Sequence, residues 1–199
     1  MISKKIIISA GILFFSITYW GCSSNKDKIP EGWFKAGSSP NSYNIGMENK
    51  AGANGENAIF IKSNQEKIDG FGTIMQNFSA EKYLNERVRL SGYIKSENVA
   101  GSAGLWMRID GKEDPRKPLA FDNMNNRPIQ GTNNWKKYDV VLDVPSNSNL
   151  INIGVLLAGT GEVWISNLKF EMVDKSISTT DLLGKTQKIE APVNLDFNK

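Results

Sequence analysis

Trp106 and Arg108 alternate with Leu105, Met107 and Ile109 in the run Leu105-Trp-Met-Arg-Ile-Asp110. Successive side chains of an extended chain point to opposite faces, so an indole and a guanidinium share a polar face with Asp110. An indole in such a place can carry the apolar C–H face of a ring, and planar Arg, Asp, Asn and Gln groups can engage the hydroxyls around it. Tyr93, Arg89, Gln76, Asp122 and Asn123 are the residues that would complete this arrangement on one concave face. The same residues admit another reading, in which Arg108 pairs with Asp110 or Asp122 on adjacent strands and Trp106 lies under a loop in a second small core.

Other chemistry finds little support. The chain has no histidine and one cysteine, which puts Ser-His, Cys-His and His-metal mechanisms out of reach. A two-carboxylate mechanism needs one pair at a defined separation; Asp110 with Asp122, or Glu113 with Asp114, are the pairs on offer, and no spacing singles one out. The phrases GFG and GTGE lack the lysine and following helix of a phosphate-binding loop. The chain therefore reads as non-catalytic, and no cofactor is expected. The stretch Phe121 to Thr132, with Asp122, Asn123, Asn125, Asn126 and Arg127, has the composition of a long turn and of a pocket mouth. A structural Ca²⁺ is a further expectation, with Glu48, Asn49, Asn57 and Asp139 as oxygen donors near strand ends, although no EF-hand loop is present.

The amino terminus addresses where such a domain works. Lys4 and Lys5 precede an uncharged apolar run, Ile6 to Trp20, that closes on Gly21-Cys22. This is the layout of a secretory signal, and its 15 residues fall short of the ~20 of an ordinary spanning helix. The run resembles a bacterial lipoprotein signal, which implies cleavage before Cys22 and a diacylglycerol thioether plus an N-acyl chain on that residue. Two such attachments meet the requirement for stable anchoring. Simple secretory cleavage and an uncleaved anchor are the other outcomes the run admits. The expected organisation is a signal peptide over 1–21, a polar tether over 22–31, a domain over 32–173 and a C-terminal tail over 174–199. The expected location is the cell envelope, lipid-anchored, at the outer membrane where the cell has one.

Of the 24 Lys and Arg residues two lie in the leader, leaving 22 against 21 Asp and Glu. This balance, with no basic stripe, gives no footprint for nucleic acid. Short alternating runs at 33–36, 43–47, 57–62, 72–78, 87–95, 104–110, 119–123, 136–144, 151–157 and 162–173 are separated by Gly, Asn, Pro and Ser, and read as strands. Only 79–86 has the makings of a helical turn or two. Without crossover helices the strands must pair antiparallel, which predicts an all-β sandwich of about nine or ten strands. Val88, Leu90 and Ile94 face inward in one strand, as do Ile151, Ile153, Val155 and Leu157 in another.

The order of GENAIFIKS, FGTIMQNFSAEKYLNERVRLSGYIKSE, AGLWMRID and NNWKKYDVVLDVPSNSNLINIGVLLAGTGEVWISNLKFEMV resembles carbohydrate-binding modules and galactose-binding-like jelly rolls. The similarity is carried by Gln76, Tyr83, Arg89-Leu90-Ser91, Tyr93, Lys95, Trp135, Tyr138, Pro145 and the phrase from Gly161 to Leu168. It implies a jelly-roll fold, a glycan or other small polar ligand, and core or rim places for Trp33, Trp135 and Trp164. The segment from Gly104 to Thr132 also resembles a little-characterised bacterial domain that occurs alone or attached to transcriptional regulators, for which the similarity implies no activity. A structural or protein-interaction role in the envelope is the other function these features allow. Beyond 173 the period is lost, and Leu182, Leu183, Ile189, Val193, Leu195 and Phe197 suit either docking on the sandwich or a free partner-binding tail.

Overall fold

The computed structural model describes residues 29–114 and 116–183. The leader, Cys22 and the last 16 residues lie outside that range. Nine strands account for the fold: β1 (Phe34–Gly37), β2 (Tyr43–Glu48), β3 (Ala58–Ser63), β4 (Phe71–Ser79), β5 (Arg87–Gly111), β6 (Pro118–Asp122), β7 (Ile129–Asp143), β8 (Ser148–Ala158) and β9 (Glu162–Val173). The helical turn expected near 79–86 is a single 3-10 turn, Glu81–Tyr83.

The two runs expected at 87–95 and 104–110 are one strand of 25 residues. Its first half pairs with β7 and β9, its second half with β8 and β6. All pairings are antiparallel, so β5 passes from one layer of a sandwich to the other. One layer is β1-β4-β8-β5-β6, and the second is β2-β3-β9-β5-β7. We call them sheet A and sheet B. Register shifts at Ser96, Val99 and Ala103 mark the crossing, as bulges do where a strand turns a corner between sheets. They also exchange parity: even-numbered Val88, Leu90 and Ile94 are buried before the bend, odd-numbered Leu105, Met107 and Ile109 after it.

These residues meet Ile74, Ile151, Val155 and Leu157 from sheet A and Ile61, Val140, Leu142, Val163 and Ile165 from sheet B in one core. The sandwich is held by that contact, since removing apolar surface from water is the dominant favourable contribution to folding.

The outer face of sheet B is a charge ladder. Arg87 grips Asp143 at 2.8 and 3.0 Å, Glu171 receives Arg89 at 2.7 Å and Lys169 at 2.5 Å, Lys62 meets Glu162 at 2.7 Å, and the Lys95 ammonium lies 4.8 Å from the Trp164 ring centroid. Hydrogen bonds from Lys169 and then Arg89 hold the Glu171 carboxyl below its ordinary 4.5, at about 2. Because the folded value is the lower one, the stabilisation from this group is complete above about pH 4.5 and is lost as pH falls toward 2. Glu171→Gln is expected to show a smaller drop in Tm between pH 5 and pH 2 than the parent chain; an equal drop would place the acid sensitivity elsewhere.

The chain after β9 does not leave the sandwich at 173. The Arg87 guanidinium donates to the carbonyls of Lys175 and Ile177. Thr180 and Val141 of β7 exchange bonds, N–H to carbonyl at 2.8 Å and N–H to hydroxyl at 2.9 Å. Next along, Leu182 N donates to the Phe121 carbonyl of β6 at 2.8 Å, and Phe121 N to Asp181 Oδ1 at 3.0 Å. Residues 174–183 thus strap the edge of sheet B to the edge of sheet A. Of the apolar residues named in the tail, Leu182 and Leu183 fall within this segment, while Ile189, Val193, Leu195 and Phe197 lie outside the described range.

Candidate functional site

The outer face of sheet A holds a groove of about 450 Å³ between β1, β4, β8, β5 and β6. Strand register builds it row by row. Trp106 of β5 lies opposite Gly154 of β8, which lies opposite Met75 of β4, and Phe34 of β1 follows. In the next row Arg108 lies between Phe121 of β6 and Asn152 of β8. Phe71, Thr73, Leu156 and Asn123 also line it.

Gly154 is what lets the indole lie down. A Cβ at this position would stand 2.6 Å from Trp106 Nε1 and 2.6 Å from the Ile74 carbonyl oxygen. The indole N–H donates to Thr73 Oγ1 at 2.8 Å, and that hydroxyl donates to the Val155 carbonyl at 2.7 Å. Trp106 is therefore fixed and only 9% exposed, and it forms the floor of the groove, while Phe71 stands 37% exposed in the lining.

Arg108 is set by a second network. Its Nη2 donates to Asp110 Oδ2 at 2.9 Å, and the Asn152 amide donates to the same oxygen at 2.7 Å. The Asp110 side chain is 5% exposed against 40% for Arg108. Arg108 Nε and Asp110 Oδ1 are buried without a hydrogen-bond partner among the described residues, a costly state that native interiors keep rare. Among the described residues Arg108 is the only charged one lining the groove, and Asp110 balances it. Such a cleft suits an uncharged ligand with an apolar face and polar edges.

Of the seven residues expected to share one face, the structure brings together Trp106, Arg108 and Asn123. Arg89 and Tyr93 do not join them, because they sit before the bend of β5 and so point out of sheet B, with Arg89 bound to Glu171. Gln76 of β4 lies opposite inward-facing Ile153 of β8 and lines a different groove, between the sheets. Asp122 lies opposite inward-facing Met107; its side chain is fully buried, accepting from Arg127 at 2.6 Å and from Met124 N at 2.7 Å. Arg108 pairs with Asp110, as the alternative reading of this cluster allowed, and the Trp106 indole lies against Gly154 with its N–H on Thr73.

Of the expected calcium donors, Glu48, Asn49 and Asn57 lie at one end of the β2–β3 pair and Asp139 lies apart from them. Glu48 on β2 accepts from the Trp164 indole at 3.1 Å, whereas Asp139 is on β7, the opposite edge of sheet B. Among the described residues no three acidic groups cluster to hold a metal. Sequence reasoning missed Phe71, Thr73, Met75, Leu156 and Phe121; the alternation of Phe71, Thr73 and Met75 on one face of β4 was the available signal.

No protein-family profile matches the chain. It is 42% identical over 177 residues to an uncharacterised HTH-type transcriptional regulator of Bacillus subtilis, YbfP, covering 88% of this chain and 59% of the relative. The chain thus spans less than two thirds of that regulator's length. Among solved structures it resembles part of the enzymatically active domain of tailspike protein 4 from bacteriophage CBA120 (TM-score 0.55, 11% identity, 75% of this chain and 20% of that one). It also resembles the CBM22-1 and GH10 modules of Clostridium thermocellum Xyn10B, solved with xylohexaose (TM-score 0.52, 12% identity, 78% and 28%). A third likeness is to the CBM22-1 xylan-binding domain of Paenibacillus barcinonensis Xyn10C (TM-score 0.50, 16% identity, 76% and 92%). At these identities the likeness is one of fold: an antiparallel β-sandwich of the jelly-roll kind, shared with carbohydrate-binding modules.

Proposed function

We propose that this chain is an exported lipoprotein of the cell envelope, anchored through Cys22, whose sandwich is a non-catalytic binding domain for a neutral carbohydrate or a similar polyhydroxylated ligand. The observation that carries the reading is the pairing of two immobilised groups in one groove: the Trp106 indole locked by Thr73, and the Arg108 guanidinium locked by Asp110 one row away. Side chains held in advance lose little freedom on binding, which favours affinity. The likeness of fold to carbohydrate-binding modules supports the ligand class. The relation to a regulator supports the idea of a module that binds something and is joined to different outputs. The signal-like leader supports export, lipidation and a membrane partner.

A glycan array probed with the full chain, beside Trp106→Ala and Arg108→Ala, tests the binding reading. Specific binding reduced about tenfold or more by each substitution is expected, in line with the loss of one stacking or charged hydrogen-bonding contact. No binding by the folded chain to any glycan would transfer the groove to a protein-interaction role. Anchoring is tested separately. Cys22→Ser should move the protein out of the membrane fraction and abolish incorporation of labelled palmitate, and retention of both would exclude Cys22 as the anchor.

A further inference from the structure

We propose a second ligand site, in the opening between the two sheets, for a single neutral ring bearing hydroxyl groups. The opening lies where β4 faces β3 and β9, measures about 640 Å³, and reaches inward to Leu90, Ile153 and Ile165. That volume is within the roughly 300–1,000 Å³ of small-molecule sites. It draws on none of the residues of the groove on sheet A, so it stands whether or not that groove takes a sugar.

Three observations converge on it. First, the lining carries polar groups that have nothing to bind in the fold. Among the described residues the Gln76 and Asn167 amides, the Trp33 indole N–H and the Tyr83 hydroxyl make no hydrogen bond to the protein. Two amides, an indole and a phenol offer both donors and acceptors, the inventory that hydroxyl groups need. Second, an aromatic cluster lines the same opening: Phe78, Tyr83 and Phe170 pack edge to face with centroids 5.1 to 5.9 Å apart, a surface for the C–H face of a ring. Among the described residues the one charged lining residue, Lys169, is bound to Glu171 at 2.5 Å, so the opening favours an uncharged occupant.

Third, the backbone is bent to make it. The pairing of β9 with β5 slips between Ser91 and Tyr93, and within the bulge Asn167 adopts a φ of 53°. A bulge in an inner strand of a sheet re-aims side chains, and a left-handed non-glycine residue is a strained position of the kind found at binding sites. Leu168 is turned inward by the same bulge, onto Gly92, where a Cβ would stand 2.6 Å from Leu168 Cδ2.

The test uses the protein labelled with 5-fluorotryptophan, which gives one ¹⁹F resonance for each tryptophan that follows the leader, Trp33, Trp106, Trp135 and Trp164; those of Trp33 and Trp106 are identified by Trp33→Phe and Trp106→Phe. Titration with D-xylose, D-glucose and D-galactose is expected to shift the Trp33 resonance saturably with at least one sugar. Asn167→Gly keeps the left-handed backbone, which glycine adopts freely, and removes only the amide, so it should weaken that response about tenfold without loss of stability. Gln76→Leu, which keeps the volume, should act in the same direction. A Trp33 resonance that stays still with all three sugars overturns the site, as does a shift that survives both substitutions. Movement of Trp106 alone excludes this site while upholding the groove on sheet A; movement of Trp33 alone does the reverse.

Discussion

Asp122→Ala is expected to lower unfolding stability by about 3 kcal/mol, the low end of the range for removing one partner of a buried ion pair, measured as a shift of the urea midpoint at constant slope. The Asp122 side chain is fully buried and that of Arg127 34% exposed, so solvent compensates part of the loss on the arginine side. Nothing compensates the Met124 N–H, which donates to Asp122 at 2.7 Å and would be left unsatisfied in a buried turn. Asp122→Asn keeps an acceptor for that donor and should cost clearly less. The effect has a functional edge, because the turn held by Asp122 carries Asn123 into the groove lining. A variant within about 0.5 kcal/mol of the parent would show that the turn is held by something else.

The second large effect is at Gly154. Alanine there meets the Ile74 carbonyl at 2.6 Å, a backbone atom in the next strand that cannot swing away, and Trp106 Nε1 at the same distance. Overpacking of this kind costs about 1–3 kcal/mol. The indole is the more mobile obstacle, so it should be driven off Thr73 and up into the groove. Gly154→Ala should therefore lose ligand binding to a greater degree than its stability alone accounts for, and Trp106 fluorescence should shift to the red. Wild-type fluorescence together with intact binding would mean that the floor of the groove tolerates a methyl group, contrary to the geometry.

Much of this architecture is legible in the amino-acid sequence because period two is a local property. Val88, Leu90 and Ile94 face the core, as do Leu105, Met107 and Ile109, and both sets are read directly from alternation. What alternation cannot convey is which way the core lies. Both sets belong to β5, and between them the strand bends from one layer to the other, so Tyr93 and Arg89 emerge on the far side of the molecule from Trp106 and Arg108. The bend is written in Ser96, Val99 and Ala103, small or β-branched residues that give no distinctive signal.

Asp122 illustrates a second limit. A carboxylate on a short strand reads as exposed unless its cation is known, and the cation is Arg127, five residues on and across a turn. Trp106 is correctly placed on the outer face of its strand, but its burial depends on Gly154, a residue 48 positions away that meets it only through strand pairing.

The strap formed by residues 174–183 has a consequence for how the molecule breathes. Hydrogen exchange in folded proteins proceeds through local openings that release contiguous groups together. The amides of Val141 and Phe121 belong to different sheets, yet each donates to one of two adjacent residues, Thr180 and Asp181. A single opening of the strap frees both, so two sheet edges that share no strand pairing with each other exchange with solvent as one unit. Phe121 also lines the groove on sheet A, so the strand freed with the sheet B edge is one that borders that groove.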